Sequence, residues 1–283
     1  MLKSNNIELL RSIGPDFIGI GAQRCGTSWL YNCLLEHPDI FMPQKEVHYF
    51  DKLHKTHDIN WYSALFSKAN NTQTSGEITP DYMYLKDCIK EIHKNYPETK
   101  LIIILRNPIE RSFSAFNLFK SHGRFKNMTF DEALKAEGFL LEQSLYYKQL
   151  ENVYRYFNKG QVLIKFYEDI TDKPLEFYQT VCEFLQIDDR FKPNSLKIIK
   201  NSSALSSSQS KFNIPAIQKR IEDSVFKKPF QFFKSTKLVN YIKRKVATNK
   251  NKIEIDSSSR NIIVNDIKEL EKLLEISLTH WRE

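Results

Sequence analysis

Apolar and polar positions fall in blocks along this chain, and the period changes from block to block. Phe17–Gly21 is a short apolar run between turn-forming residues, as expected of a buried strand. A helical pattern follows over Gly26–Leu35 and stops at His37-Pro38, because the residue before a proline is driven away from helical angles. Residues 39–60 have no clear period and read as loop. Asn60–Ser67 reads as a short helix with Trp61, Leu65 and Phe66 on one face, and Thr74–Thr79 as a short strand ending before Pro80. Tyr82–Asn95 has helical spacing through Tyr84, Leu85, Cys88, Ile89 and Ile92. Leu101–Leu105 is wholly apolar and suits a central parallel strand buried on both faces. At the next helix start, Asn107 is a good N-cap, Pro108 fits the first helical position and Glu110 is placed for a capping box. That helix should run to about Ser121, followed by a helix at Ser144–Phe157, a strand at Val162–Phe166 and a helix at Pro174–Leu185. Residues 260–281 end the chain with an amphipathic helix.

Strands that alternate with helices predict an α/β fold: a doubly wound, mostly parallel sheet flanked by helices on both faces. One domain over residues 1–283 is expected, with its core at about 15–203 and 260–283 and a variable basic insertion at 204–256. The stretch 201–210, NSSALSSSQS, is serine-rich and reads as loop. With 20 Phe and 13 Tyr, the chain can build a large core without disulfides. Cys25, Cys33, Cys88 and Cys182 show no paired spacing, so a zinc site or disulfide framework is not expected. No run of about 18 apolar residues is present and residues 1–17 do not resemble a signal peptide, so a cytoplasmic protein is expected.

The net charge of +8 is local rather than global. Residues 219–252 hold eleven Lys/Arg against two acidic residues. This segment reads as a solvated basic face, as a contact for an anionic acceptor, or as a peripheral anchor on an anionic membrane through Phe230, Phe232 and Phe233.

The stretch 19–30, GIGAQRCGTSWL, lies between the first strand and the first helix. Gly21, Gly26 and Ser28 have the spacing of a phosphate-binding P-loop, but Thr27 stands where that motif requires lysine. Consecutive backbone N–H groups and a helix N-terminus still make an anion site there, with Arg24, Thr27 and Ser28 as further donors. The fold is therefore P-loop-like. The second chemical strand end is Arg106, in the position where a triphosphatase strand would supply aspartate for Mg²⁺. An arginine there suggests a second anion; taken alone, it reads equally well as a surface residue paired with Glu110. Ser114, two helical turns on, can assist it. The two ends together describe a nucleotide with two separate anionic groups and no essential magnesium.

Here the chain resembles a known family. PDFIGIGAQRCGTSWLYNCLLEHPDI is similar to the 5′-phosphosulfate loop of sulfotransferases, and LIIILRNPIERSFSAF is similar to their 3′-phosphate motif; the two lie about 80 residues apart. SLYYKQLENVYRYF, QVLIKFYEDI and LEKLLEISLTHW also resemble the family, so that residues 15–203 and 260–283 are covered. The resemblance implies 3′-phosphoadenosine-5′-phosphosulfate (PAPS) as co-substrate without a metal. It places Arg24, Cys25, Gly26, Thr27, Ser28, Trp29, Arg106 and Ser114 around that molecule. KEVHYFD, residues 45–51, resembles the segment that carries the catalytic base in heparan-sulfate-type enzymes. This implies Glu46 as base, His48 as a second polar group and Arg24 beside the leaving oxygen. Glu46 reads otherwise as a solvated carboxylate and His48 as a satisfied loop histidine.

Two departures stand out. Most family members have lysine where Arg24 stands, and some have lysine in place of Ile78, which cannot contact an anion. Tyr82 is a candidate for shaping the acceptor site, and Lys200–Ser203 for opening a loop over the co-substrate. The expected acceptor is a small molecule or saccharide, with no nucleic acid as partner. The rival readings are a P-loop kinase or NTPase and a non-catalytic module binding anions or nucleic acid. The missing lysine and the absence of an aspartate after Leu105 weigh against the first, and the lack of RNA-binding motifs against the second.

Overall fold

A computed structural model describes residues 14–197 and 253–282. The serine-rich stretch, Lys200–Ser203 and the basic segment 219–252 lie outside the described residues.

The elements, in chain order, are β1 (Phe17–Gly21), α1 (Thr27–Leu35), β2 (Ile40–Phe41), α2 (Ile59–Ala64), β3 (Thr74–Ile78), α3 (Lys86–Asn95), β4 (Lys100–Leu105) and α4 (Pro108–Ser121). They continue with α5 (Phe130–Ala136), α6 (Gly138–Glu142), α7 (Tyr146–Tyr154), β5 (Val162–Phe166), α8 (Tyr167–Asp172), α9 (Pro174–Leu185) and α10 (Ser257–Leu274). The strands form one sheet in the order β2-β3-β1-β4-β5, and every pairing is parallel.

The middle strand is β1, with β3 on one side and β4 on the other. Leu101–Leu105 is thus an interior strand next to the middle rather than the middle itself. Its five residues are at most 1% exposed, as a strand covered on both faces requires. The chain leaves β1 for β3 on one side and later lays down β4 on the other. The switch point of this doubly wound sheet therefore lies at the carboxyl ends of β1 and β4, where such folds bind ligands.

Several local details differ from the sequence reading. The helix placed at Tyr82–Asn95 begins at Lys86, because Pro80–Tyr84 form a turn that buries Tyr82 and Met83. Asn107 caps α4, accepting from the amides of Ile109 and Glu110, but Glu110 does not close the box. Its carboxylate turns to Arg106 instead, at 2.9 Å. Helices α5 and α6 were not foreseen. The first starts with a capping box at Thr129 and Glu132. All four cysteines are buried free thiols, and no helix among the described residues is long and apolar enough to cross a membrane.

The C-terminal helix α10 packs on α7 through Ile263, Ile267 and Leu270, spaced one and two turns apart on one face. It also supplies a cap. Leu145 gives α7 no side-chain cap, and Asp266 of α10 takes the role, accepting from the amides of Tyr146 at 2.7 Å and Tyr147 at 3.3 Å. Burial lifts the Asp266 carboxyl from 3.8 to about 6, with the two amides opposing the shift. The folded state therefore favours the protonated form. Its stabilising contribution is complete below about pH 4 and is lost as the pH rises through about 6. Asp266→Asn should abolish this titration. Urea unfolding at the two ends of that range should show the wild type losing up to about 3 kcal/mol more than the variant. Parallel pH profiles would contradict the account.

Candidate active site

The loop after β1 is shaped by close approach. A Cβ on Gly21 would lie 2.8 Å from the Cβ of Met83. Gly26 sits at φ 92°, where a Cβ would come within 2.6 Å of Ile170 Cδ1. Only glycine combines that angle with that contact. Gly26 is also the N-cap of α1, and no side chain caps this helix. The amides of Trp29 and Leu30 are taken up by the Gly26 carbonyl. Those of Thr27 and Ser28 lie in the first turn, where a helix has no internal acceptor to offer. The positive end of the α1 dipole is thus open to an anion.

Arg24, at φ 71°, turns towards the second strand end, and its Nε donates to Ser114 Oγ at 3.1 Å. Burial depresses the Arg24 pKa, and the nearby positive charge of Arg106 depresses it further. Arg106 follows β4; its guanidinium lies 4.4 Å above the Tyr167 ring and pairs with Glu110. Two cations at the ends of adjacent strands disfavour one another, and an anion between or beside them relieves the repulsion. Arg24, Gly26, Thr27, Ser28, Trp29, Arg106 and Glu46 line one cleft of about 400 Å³. A larger concavity of about 830 Å³ lies at the amino ends of the strands, around Asp16, Thr74 and Lys100. It is the wrong end for ligand binding in a parallel sheet.

The segment 45–51 reaches the cleft as a clamped loop. Glu46 and His48 both have positive φ, 53° and 55°. Three consecutive amides hold that backbone: Val47 donates to Glu77 Oε2 at 3.4 Å, His48 to Thr79 Oγ1 at 3.3 Å and Tyr49 to the Tyr82 hydroxyl at 2.8 Å. Glu77 is fully buried and also accepts from the hydroxyls of Thr79 at 2.6 Å, Tyr62 at 2.8 Å and Tyr82 at 3.0 Å. Burial pushes its carboxyl above the usual range while these donors pull the other way. Glu46 itself stays more than one-third exposed, 3.7 Å from Lys45 Nζ and 3.7 Å from His48 Nε2. The other ring nitrogen of His48 lies 2.8 Å from Asp51 Oδ2.

Some predicted site residues take other positions. Cys25 is buried, with its thiol near the Gln23 carbonyl and the Tyr146 hydroxyl, so its side chain does not line the cleft. Ser114 is 8% exposed and stands behind Arg24 rather than in the cleft. His48 faces Asp51, one residue removed from the lining carboxylate. Tyr82 is wholly buried and clamps the 45–51 loop, which removes it as a wall of the acceptor site. Ile78 packs against Gly19. Sequence reasoning missed Glu77, Asp51, Tyr167, Lys45 and Asp81; the last three line the cleft. His48, Asp51 and Asp81 bring ligand-type atoms within 4.8 Å of one another, but the Lys52 ammonium, 3.2 Å from His48 Nδ1, already adds positive charge there.

The structure is a parallel α/β sheet whose P-loop-like turn lacks the lysine and whose two neighbouring strand ends carry arginines in one cleft with a carboxylate. The family model for the sulfotransferase domain matches residues 14–260, and the chain belongs to that family. Heparan sulfate glucosamine 3-O-sulfotransferase 6 of Mus musculus is 29% identical over 178 residues, covering 60% of this chain and 52% of that protein. Heparan sulfate glucosamine 3-O-sulfotransferase 3B1 of the same species is 30% identical over 182 residues, covering 60% and 46%. The chain thus spans about half the length of the curated relatives it matches. Among solved structures, a sulfotransferase from Alicyclobacillus acidocaldarius has the same fold, with a TM-score of 0.66 at 22% identity, over 95% of this chain and 99% of that one.

The position of Glu46 depends on Glu77, and Glu77→Gln tests that dependence. The new amide N–H₂ faces groups that donate, so at least one buried donor loses its acceptor. The variant is expected to lose about 2–4 kcal/mol of unfolding free energy and to become protease-sensitive between residues 45 and 55. Unchanged stability and unchanged cleavage would show that the loop is held by other contacts.

Proposed function

We propose that the protein is a PAPS-dependent sulfotransferase that moves a sulfuryl group to a hydroxyl or amine, with a saccharide as the acceptor class. The observation that carries this reading is the shared cleft: an open helix N-terminus, Arg24, Arg106 and the Glu46 carboxylate line one cavity. The pinched, uncapped turn at Gly26 suits a 5′-phosphate, and Arg106 at the neighbouring strand end suits the 3′-phosphate. The curated relatives are named for 3-O-sulfation of a heparan sulfate glucosamine, which supports a sugar hydroxyl as acceptor.

PAPS supplies an activated sulfuryl group on a phosphate leaving group. Glu46 takes the proton of the acceptor hydroxyl as its oxygen bonds to sulfur. His48, held by Asp51, lies 3.7 Å from Glu46 and orients its carboxylate. The electron pair of the breaking S–O bond goes to the 5′-phosphate oxygen. Arg24 and the amides of Thr27 and Ser28 meet that charge in a partly dry cleft, where preorganised donors act most strongly. Arg106 holds the remote phosphate, and Trp29 forms part of the wall. No step in this scheme requires magnesium.

Two variants separate binding from chemistry. Glu46→Gln should reduce transfer from radiolabelled PAPS to a saccharide panel by at least about 100-fold, the scale of a lost general base, with affinity for adenosine 3′,5′-bisphosphate unchanged. Arg106→Ala should weaken that affinity by at least about tenfold, as loss of a charge-assisted contact does. No calorimetric heat with the bisphosphate, together with strong binding of Mg-ATP, would overturn the reading.

A further inference from the structure

Two phosphates on one ribose keep a nearly fixed separation, so the loops that grip them need a fixed separation too. The sheet sets part of it: the Ala22 amide donates to the Ile104 carbonyl at 2.8 Å. Farther out, among the described residues, no backbone hydrogen bond joins the segment 23–28 to the segment 106–108. The buried side chain of Tyr146 touches both. Tyr146, fully buried at the start of α7, donates its phenol proton to the Arg106 carbonyl at 2.9 Å. The Cys25 thiol lies 3.9 Å from the same phenol oxygen. With the phenol proton committed to Arg106, the single thiol proton is shared between the Gln23 carbonyl at 3.7 Å and the phenol oxygen; burial pushes Cys25 up to about 12 and so keeps it protonated.

Tyr146 is itself held from the C-terminus. Asp266 accepts from its amide at 2.7 Å, and its ring lies against Trp281, 6.3 Å between centroids. Trp281 in turn donates to Glu168 Oε1 at 3.2 Å, and the same oxygen accepts from the Asn107 amide at 3.4 Å. The Arg106-Asn107 backbone is therefore gripped by two routes that both end in the C-terminal segment, far from it in sequence. Arg106 already has Glu110 and Tyr167 to orient its guanidinium. What Tyr146 adds is the placement of its main chain relative to the first loop.

We propose that Tyr146 is a positioning residue: its hydroxyl sets the spacing between the two anion loops and thereby the preference for a ligand with two phosphates. This rests on the function proposed above. The test is calorimetry with two probes, adenosine 3′,5′-bisphosphate and adenosine 5′-monophosphate, on the wild type, Tyr146→Phe and Cys25→Ala. Tyr146→Phe keeps the ring and deletes one hydroxyl. The wild type should prefer the bisphosphate, and in Tyr146→Phe that preference should fall about tenfold, through weaker bisphosphate binding, as expected for one buried hydrogen bond lost. Cys25→Ala removes the first-loop end of the same link and should lower the preference in the same direction but by a smaller factor, because a thiol contact of 3.9 Å is weaker than the phenol bond. Equal affinities in the wild type would count against the two-phosphate reading itself. A preference kept in Tyr146→Phe, equal weakening of both ligands by it, or a larger loss of preference in Cys25→Ala than in Tyr146→Phe would overturn the spacer role and leave the function standing.

Discussion

The site depends on a helix that begins without a side-chain cap. The first turn of any α-helix carries amides with no acceptor inside the helix, and most helices quiet them with Ser, Thr, Asp or Asn. Helix α1 begins at Gly26 instead, in a left-handed conformation that a larger residue could not adopt beside Ile170. The donors stay available and point out of the carboxyl end of the middle strand. Arg24 and Arg106 add charge at the same level, and burial makes the Arg24 charge harder to hold. The result is two like charges held near each other beside open helix amides, a repulsion that an anion placed there would relieve. On the proposed reading, the phosphates of PAPS provide that relief. The same preorganisation then serves the leaving oxygen when the S–O bond breaks.

The acidic side of the cleft is built on a different plan. Glu46 is not held by contacts to its own carboxylate alone. Its backbone is set by a neighbouring buried carboxylate, Glu77, which gathers three hydroxyls and an amide in the core. A charged group in the interior is costly unless its hydrogen bonds are complete. Here they are plentiful, and they fix the two positive-φ residues on either side of Val47, which would otherwise find other conformations. Glu46, the base on the proposed reading, is thus placed through its backbone, while its carboxylate lines the cleft beside Lys45 and His48.

Much of this was legible in the chain. Three of the five strands stood out as short apolar runs, β3 was placed by the proline that ends it, and the order of strand, loop and helix around Gly26 was read correctly. β2 was missed because two residues make no pattern, and α8 because it follows β5 directly, with no punctuation between them. The start of α5 was readable: Thr129 and Glu132 have the spacing of a capping box. The cleft-lining roles of Arg24 and Arg106 came from motif spacing. The Glu77 network could not be seen, since its donors lie up to 30 residues away and come together only when β3 packs beside the 45–51 loop. Cys25 and Ser114 show the limit of motif transfer. Both belong to the right loops, yet their side chains face inward, and one contacts Tyr146 while the other supports Arg24.

The central claim is that two strand ends bind two separate anionic groups of one nucleotide without a metal. Phosphorus NMR of adenosine 3′,5′-bisphosphate, titrated with the protein in the presence of EDTA, reads each phosphate separately. Both resonances should shift and broaden together along one saturation curve. A shift confined to one phosphate, or none until magnesium is added, would contradict the account.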